Sequence, residues 1–237
     1  MPSRLLKWRL FALLLAAGLA MAVVVMLVMA KMHEELSAPL LERLDRSGLA
    51  FMHRHQTPAR TMLARALSWI GSPVQLVPAI SISAAVLWWR RMRRDALLLL
   101  IAVGGSGTLD VALKLHFRRI RPEVPWAFVH EHSFSFPSGH SVAAVVLYGI
   151  LTYLLWTHLR DLRQRAAAIA TALLLIGGIG ASRIYLGVHY PTDVLAGYVV
   201  GLLWLLPVIG AAEYLARAEV WQRHQASSRD QPVSPRR

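Results

Sequence analysis

Residues 194–215 read VLAGYVVGLLWLLPVIGAAEYL, an apolar stretch in which Glu213 is the single charged residue. A helix rises 1.5 Å per residue, so about 20 such residues span roughly 30 Å of hydrocarbon. Five further runs have the same character: residues 10–30, 69–89, 96–113, 139–157 and 166–186. None alternates strictly between apolar and polar side chains, which argues against a membrane barrel. The third run is the shortest and carries Asp110. The expected fold is therefore all-α: a polytopic membrane protein with six transmembrane helices in one bundle.

Composition agrees with this. Of 237 residues, 56% are hydrophobic and 16% charged, against roughly 45–50% and about 25% in a soluble domain. There is no cysteine, so disulfides, thiolate metal sites and thiol catalysis are excluded. The formal net charge is +13, which in a soluble chain would suggest nucleic acid. Its distribution argues otherwise. Fifteen of the 26 basic residues lie in alternate flanks, in clusters such as Arg4, Lys7 and Arg9 or Arg90, Arg91, Arg93 and Arg94. Only five acids share those flanks. Compact basic clusters mark the cytoplasmic side, so both termini are expected inside, and the excess charge faces anionic lipid rather than nucleic acid.

Other segments fill in the organisation. Arg4, Lys7 and Arg9 followed by an apolar run could open a signal peptide, with Val28-Met29-Ala30 as a cleavage site, but the run is longer than a usual signal core. An uncleaved anchor is favoured. Residues 31–68, with Leu36, Leu40, Leu41 and Leu44 at helical spacing, suggest an amphipathic helix lying at the outer interface. The division expected is a membrane domain over 1–225 and a disordered cytoplasmic tail over 226–237, where ASSRDQPVSPRR is rich in Ser, Pro and Arg. Trp8, Trp69, Trp88, Trp89 and Trp156 fall at run ends, as interfacial anchors do. Gly104, Gly105 and Gly107 lie inside a run and suit close helix packing.

Ionisable groups at a membrane edge are costly and usually functional, and here they gather on the outer side. Lys114 ends the third run, Arg121-Pro122 follows, Pro137-Ser138-Gly139-His140 opens the fourth, Ser182-Arg183 closes the fifth, and His189 and Asp193 precede the sixth. Lys114, Arg121 and Arg183 supply fixed positive charge, the arginines with forks matched to tetrahedral oxyanions. Ser138-Gly139-His140 sits at a helix start, where unpaired N–H groups and the positive dipole end favour an anion. Ser138 can cap that helix or donate its hydroxyl, and Gly139 permits close approach. Asp193, four residues after His189, can hold one imidazole nitrogen and leave the other as a nucleophile. His140, from another helix, can protonate a leaving oxygen and later take a proton from water. Asp110, one turn before Lys114, can pair with it or bond a neighbouring helix.

The stretches KLHFRRIRP (114–122), PSGH (137–140) and SRIYLGVHYPTD (182–193) together resemble the three-part signature of the type 2 phosphatidic acid phosphatase superfamily, in order and in both internal spacings. The resemblance implies that Lys114, Arg121, Arg183, Ser138 and Gly139 bind phosphoryl oxygens. It implies that His189 forms a phosphohistidine, that Asp193 orients it, and that His140 is the general acid and then base. No metal or other cofactor is implied. The expected partners are the bilayer and a lipid phosphate substrate, of the phosphatidylglycerophosphate, undecaprenyl pyrophosphate or phosphatidate class, and not nucleic acid; nothing bears on oligomeric state. The expected location is a bacterial inner membrane with the site facing outward. Alternatives sharing the site are a lipid-linked phosphotransferase, a lipid A phosphatase, or a non-enzymatic phosphate binder. Glu123, Trp126 and Phe128, between the first two motifs, are candidates for head-group selection.

Overall fold

The computed structural model describes residues 38–129, 131 and 133–229, with six helical positions between residues 12 and 23. Seven helices make up these residues, with no strand among them: α1 (Ala38–Arg54), α2 (Pro58–Ile70), α3 (Pro73–Trp89), α4 (Arg93–Phe117), α5 (Gly139–His158), α6 (Leu162–Tyr185) and α7 (Pro191–Arg229). Helix is the expected state for such apolar segments, because hydrocarbon offers backbone N–H and C=O groups no partner outside the segment.

Four helices, α4, α5, α6 and the Pro191–Arg217 part of α7, are each long and apolar enough to cross a membrane. The expected span over 69–89 is not one straight helix. Ser72-Pro73 ends α2 and starts α3, and the two pass the same test only together, at an angle of 46°. Proline is preorganised for a helix's first turn but removes a donor from the turn before it, which accounts for the break. The described residues thus hold four spans, or five if the bent pair counts as one, rather than six. Most of the first run, 10–30, lies outside the described residues, although Gly18 and Val23 pack against Pro207 and the main core. The segment expected over 31–68 holds, among its described residues, two helices rather than one, because His55-Gln56-Thr57 interrupts it and Thr57 caps α2 by accepting from the Arg60 amide. Helix α7 continues to Arg229, beyond the expected start of the tail, and residues 230–237 lie outside the described residues.

Helix α5 is the centre of the bundle and packs against α4, α6 and α7. Leu99 and Ala102 of α4, Val142, Val146 and Ile150 of α5, and Val200 and Val208 of α7 are buried in one core. Small residues set the spacing. A Cβ at Gly197 would meet Ser141 Cβ at 2.7 Å, and one at Gly201 would meet Val145 Cβ at 2.8 Å. This i, i+4 pair lets α7 lie directly on α5. Trp204 donates its indole N–H to the Ala102 carbonyl at 2.7 Å, and its ring occupies the space a side chain at Gly105 would need. Gly104 and Gly107 face open space, so of the three glycines only Gly105 serves packing. Trp69, Trp88, Trp89 and Trp156 are exposed.

Chain direction alternates, so the C-terminal ends of α4 and α6 meet the N-terminal ends of α5 and α7. Gly105→Val is expected to cost about 1–3 kcal/mol by overpacking and lower the thermal midpoint in detergent by several degrees. Gly107→Val should leave it nearly unchanged.

Candidate active site

All eight residues singled out by the motifs lie at this one end. Lys114 occupies the last turn of α4, where its ammonium pairs with Asp110 Oδ2 at 2.7 Å. Helix α4 then ends on Arg118, which adopts φ +47 in the left-handed region. That reversal turns the following residues back across the bundle end, toward the start of α7. Gly139 heads α5 directly beside the lysine: a Cβ there would meet Lys114 Nζ at 2.7 Å and Asp110 Oδ2 at 2.8 Å. Only glycine leaves room for the ammonium against the helix start.

Ser138 is fully buried at the N-cap position, but its side chain does not cap the helix. Its hydroxyl lies 3.1 Å from the Ser141 hydroxyl, which donates to it, and its amide donates to the Asp193 carbonyl at 3.0 Å. The turn before α5 is thereby tied to the first turn of α7. His140 follows, within electrostatic reach of Arg183, Glu131, His189 and Lys114.

Arg121 is held by five acceptors besides Glu131. It donates to the Ser133 carbonyl at 2.7 Å, the Ser133 hydroxyl at 2.9 Å, the Phe134 carbonyl at 3.4 Å and the Val188 carbonyl at 2.7 Å, and it lies 3.0 Å from His189 Nε2. A guanidinium can only donate, so Nε2 is the accepting nitrogen and the neutral ring carries its proton on Nδ1. That nitrogen faces Asp193 Oδ2 at 3.4 Å, longer than a normal hydrogen bond and without another partner. Gly187, at φ +74 and packed against Val124 and Trp126, makes the turn that delivers His189 from the end of α6. His189 is 1% exposed and Asp193 fully buried.

Arg183, in the last turn of α6, donates to the Ser68 hydroxyl and to Glu131 Oε1. The other oxygen of Glu131 pairs with Arg121 at 2.7 Å. One carboxylate therefore bridges both arginines, in the way a tetrahedral oxyanion could. Burial works against its charge, but Arg183 and then Arg121 outweigh this and hold its carboxyl below the ordinary carboxylate range. A cavity of about 870 Å3, lined by Arg119, Arg121, Glu123, Glu131, Phe134 and Val188 among others, opens beside this group.

Sequence reasoning did not single out Glu131, Ser68, Arg119, Asp45 or Thr192. Arg119 had one available signal: in extended chain, residues two apart face the same way, so Arg119 shares a side with Arg121. Trp126 stacks on His53, and Phe128 on Tyr185 with Arg65 above its ring. These two aromatics fasten the loop to α1, α2 and α6. Glu123 lines the cavity. Among the described residues no cluster of His, Asp and Glu has the arrangement to hold a metal ion.

A set of cations at the mouth of an apolar helical bundle, around a buried imidazole and carboxylate, defines a membrane-embedded phosphatase class. The chain belongs to the PAP2 superfamily, whose family model matches residues 95–217. It is 38% identical over 154 residues to phosphatidylglycerophosphatase B of Bacillus subtilis, covering 64% of this chain and 74% of that protein. It is 28% identical over 174 residues to a putative undecaprenyl-diphosphatase of Escherichia coli, covering 70% and 82%. The crystal structure of the PAP2-type phosphatidylglycerolphosphate phosphatase from Bacillus subtilis superposes with a TM-score of 0.68 at 30% identity, over 90% of this chain and 98% of that one.

Burial pushes the His189 imidazole down to about 4; Asp193 pulls it back up, while Arg121 and Arg183 press it further down. The folded protein therefore binds this proton less readily than the unfolded chain, whose imidazole titrates near ~6.5. Stability should be at its full value above that pH and fall as pH drops from about 6.5 toward 4, by on the order of 3 kcal/mol from this group. The difference in detergent unfolding between wild type and His189→Gln across this range isolates the contribution.

Proposed function

We propose that this protein hydrolyses a lipid phosphomonoester or pyrophosphate, of the phosphatidylglycerophosphate, undecaprenyl pyrophosphate or phosphatidate class, at the outer face of a bacterial inner membrane. The observation that carries this reading is the position of His189. Its Nε2 lone pair points into the group formed by Arg121, Arg183 and Glu131, with Nδ1 facing a buried carboxylate. The similarity to phosphatidylglycerophosphatase B supports the substrate class.

Substrate phosphate replaces the Glu131 carboxylate between Arg121 and Arg183. Lys114, the Ser138 hydroxyl and the Gly139 amide complete the contacts to its oxygens, which gather charge in the transition state. His189 Nε2 attacks phosphorus in line as the bond from phosphorus to the lipid oxygen breaks, and His140 gives that oxygen a proton. The phosphohistidine keeps its Nδ1 proton toward Asp193. Water then attacks phosphorus, His140 takes the water's proton, and the phosphorus–nitrogen bond breaks to release inorganic phosphate and neutral His189. Every charge on the transferring group is met by protein donors, so the reaction runs without a metal.

The same reading has six spans, counting residues 10–30 as an uncleaved anchor and α2 with α3 as one crossing, with both termini in the cytoplasm and a membrane domain over 1–225. Head-group phosphates then lie level with the site, and substrate enters laterally from the outer leaflet.

Purified protein in detergent, with divalent metal chelated, is expected to release phosphate from at least one of these lipids. His189→Ala should lose at least about 10³-fold in rate, and Arg183→Ala about 10²–10³-fold. Phosphate release equal in wild type and His189→Ala would exclude the nucleophile assignment. A reporter active only outside the cytoplasm, fused after Glu123, should be active; silence would reverse the orientation.

A further inference from the structure

Asp45 lies on α1, outside all three motif stretches, and is 2% exposed. A carboxylate buried on the packed face of an amphipathic helix is costly unless fully partnered. Its partners are specific. Oδ2 accepts from Arg119 Nη2 at 2.7 Å and from the Thr192 hydroxyl at 2.8 Å, and Oδ1 accepts from the Thr192 amide at 3.0 Å. That amide belongs to the first turn of α7, where N–H groups have no partner within the helix. Arg119 reaches on with Nη1 to the Thr192 hydroxyl at 2.8 Å and to Asp193 Oδ1 at 2.6 Å, and its guanidinium lies 4.2 Å from the Tyr190 ring centroid. The Tyr190 amide donates to Asp193 Oδ2 at 2.9 Å.

This network fixes two properties of Asp193. With Oδ1 taken by Arg119, Oδ2 is the oxygen presented to His189 Nδ1. With Arg119 shared between two carboxylates, the three groups together keep one negative charge beside the imidazole. That charge is useful at one moment: a neutral imidazole becomes cationic when Nε2 bonds to phosphorus and Nδ1 keeps its proton. Without Asp45, Arg119 would neutralise Asp193 and oppose that step. An apolar residue at position 45 would pack α1 equally well but leave the Thr192 amide and hydroxyl without their acceptor.

We propose that Asp45 and Arg119 are positioning residues for phosphoryl transfer, setting the orientation and effective charge of Asp193 from a helix outside the motif core. The proposal rests on the reading of His189 as nucleophile. The test compares wild type, Asp45→Asn, Thr192→Val, Asp193→Asn, the Asp45→Asn/Asp193→Asn double variant and His189→Ala, using phosphatidate in detergent micelles with metal chelated. Asp45→Asn should lower kcat roughly 10–100-fold, as loss of a supporting hydrogen-bond partner does, with KM within about twofold. Thr192→Val, which keeps the backbone amide, should lower kcat several-fold and serves in place of Asp45→Asn if that variant does not fold. In the Asp193→Asn background, Asp45→Asn should add less than about twofold, because its effect passes through that carboxylate. Unchanged kcat in both Asp45→Asn and Thr192→Val, a loss confined to KM, or losses that multiply in the double variant would each overturn the proposal. Inactive His189→Ala beside fully active Asp45→Asn and Thr192→Val would refute this inference alone, whereas active His189→Ala removes the reading beneath it.

Discussion

Asp193 has no contact with solvent, and a carboxylate so placed must be matched charge for charge and hydrogen bond for hydrogen bond, or it costs several kcal/mol. Much of the site's architecture follows from that requirement. The carboxylate lies in the first turn of α7, where the helix dipole favours an anion. It accepts from the Tyr190 amide and the Arg119 guanidinium, and its own carbonyl receives the Ser138 amide. Two segments distant in sequence converge on this residue, Arg119 on its carboxylate and Ser138 on its backbone carbonyl.

The cations meet the complementary requirement. Arg183, 2% exposed, is no easier to bury than a carboxylate, and Glu131 answers it and Arg121 together. The positively charged group is therefore assembled around an anion of its own. In the proposed mechanism, phosphate binding is an exchange of one anion for another rather than the burial of a new charge. Lys114 is held in the same manner by Asp110, on the side of the site formed by the start of α5. Fixed dipoles and charges of this kind need little rearrangement as charge develops on the reacting group, which is the basis of electrostatic catalysis.

The sequence made the long apolar helices legible because hydrocarbon imposes a simple rule on composition and length. The runs at 139–157, 166–186 and 194–215 coincide closely with α5, α6 and the apolar part of α7. The run at 69–89 was legible as apolarity but not as geometry, because mean apolarity does not register the break at Ser72-Pro73. The motif residues were legible because three short stretches carry chemistry at fixed local spacing. Asp45, Glu131 and Ser68 were not, since their meaning lies in partners 147, 52 and 115 residues away. Nothing in an amphipathic helix such as α1 distinguishes an aspartate that faces solvent from one that reaches the start of α7. For Trp126 and Phe128 the structure adds a contact the sequence did not show, their stacking on His53 and Tyr185.

Ser135 donates its amide to the Arg119 carbonyl at 2.9 Å and its hydroxyl to the Ile120 carbonyl at 3.2 Å. This pinch closes the chain between α4 and α5 into a loop with a fixed base, and the ends of both helices are set below it. Loop closure depends only weakly on contour length, about 0.6 kcal/mol for each doubling. By that measure alone the length of chain between Pro122 and Val129 matters little; what fixes its course is the stacking of Trp126 on His53 and of Phe128 on Tyr185. The fold separates a chemical floor set by the helix ends from a roof held down by aromatic fasteners, and the wall of the 870 Å3 cavity that holds Glu123 belongs to the roof.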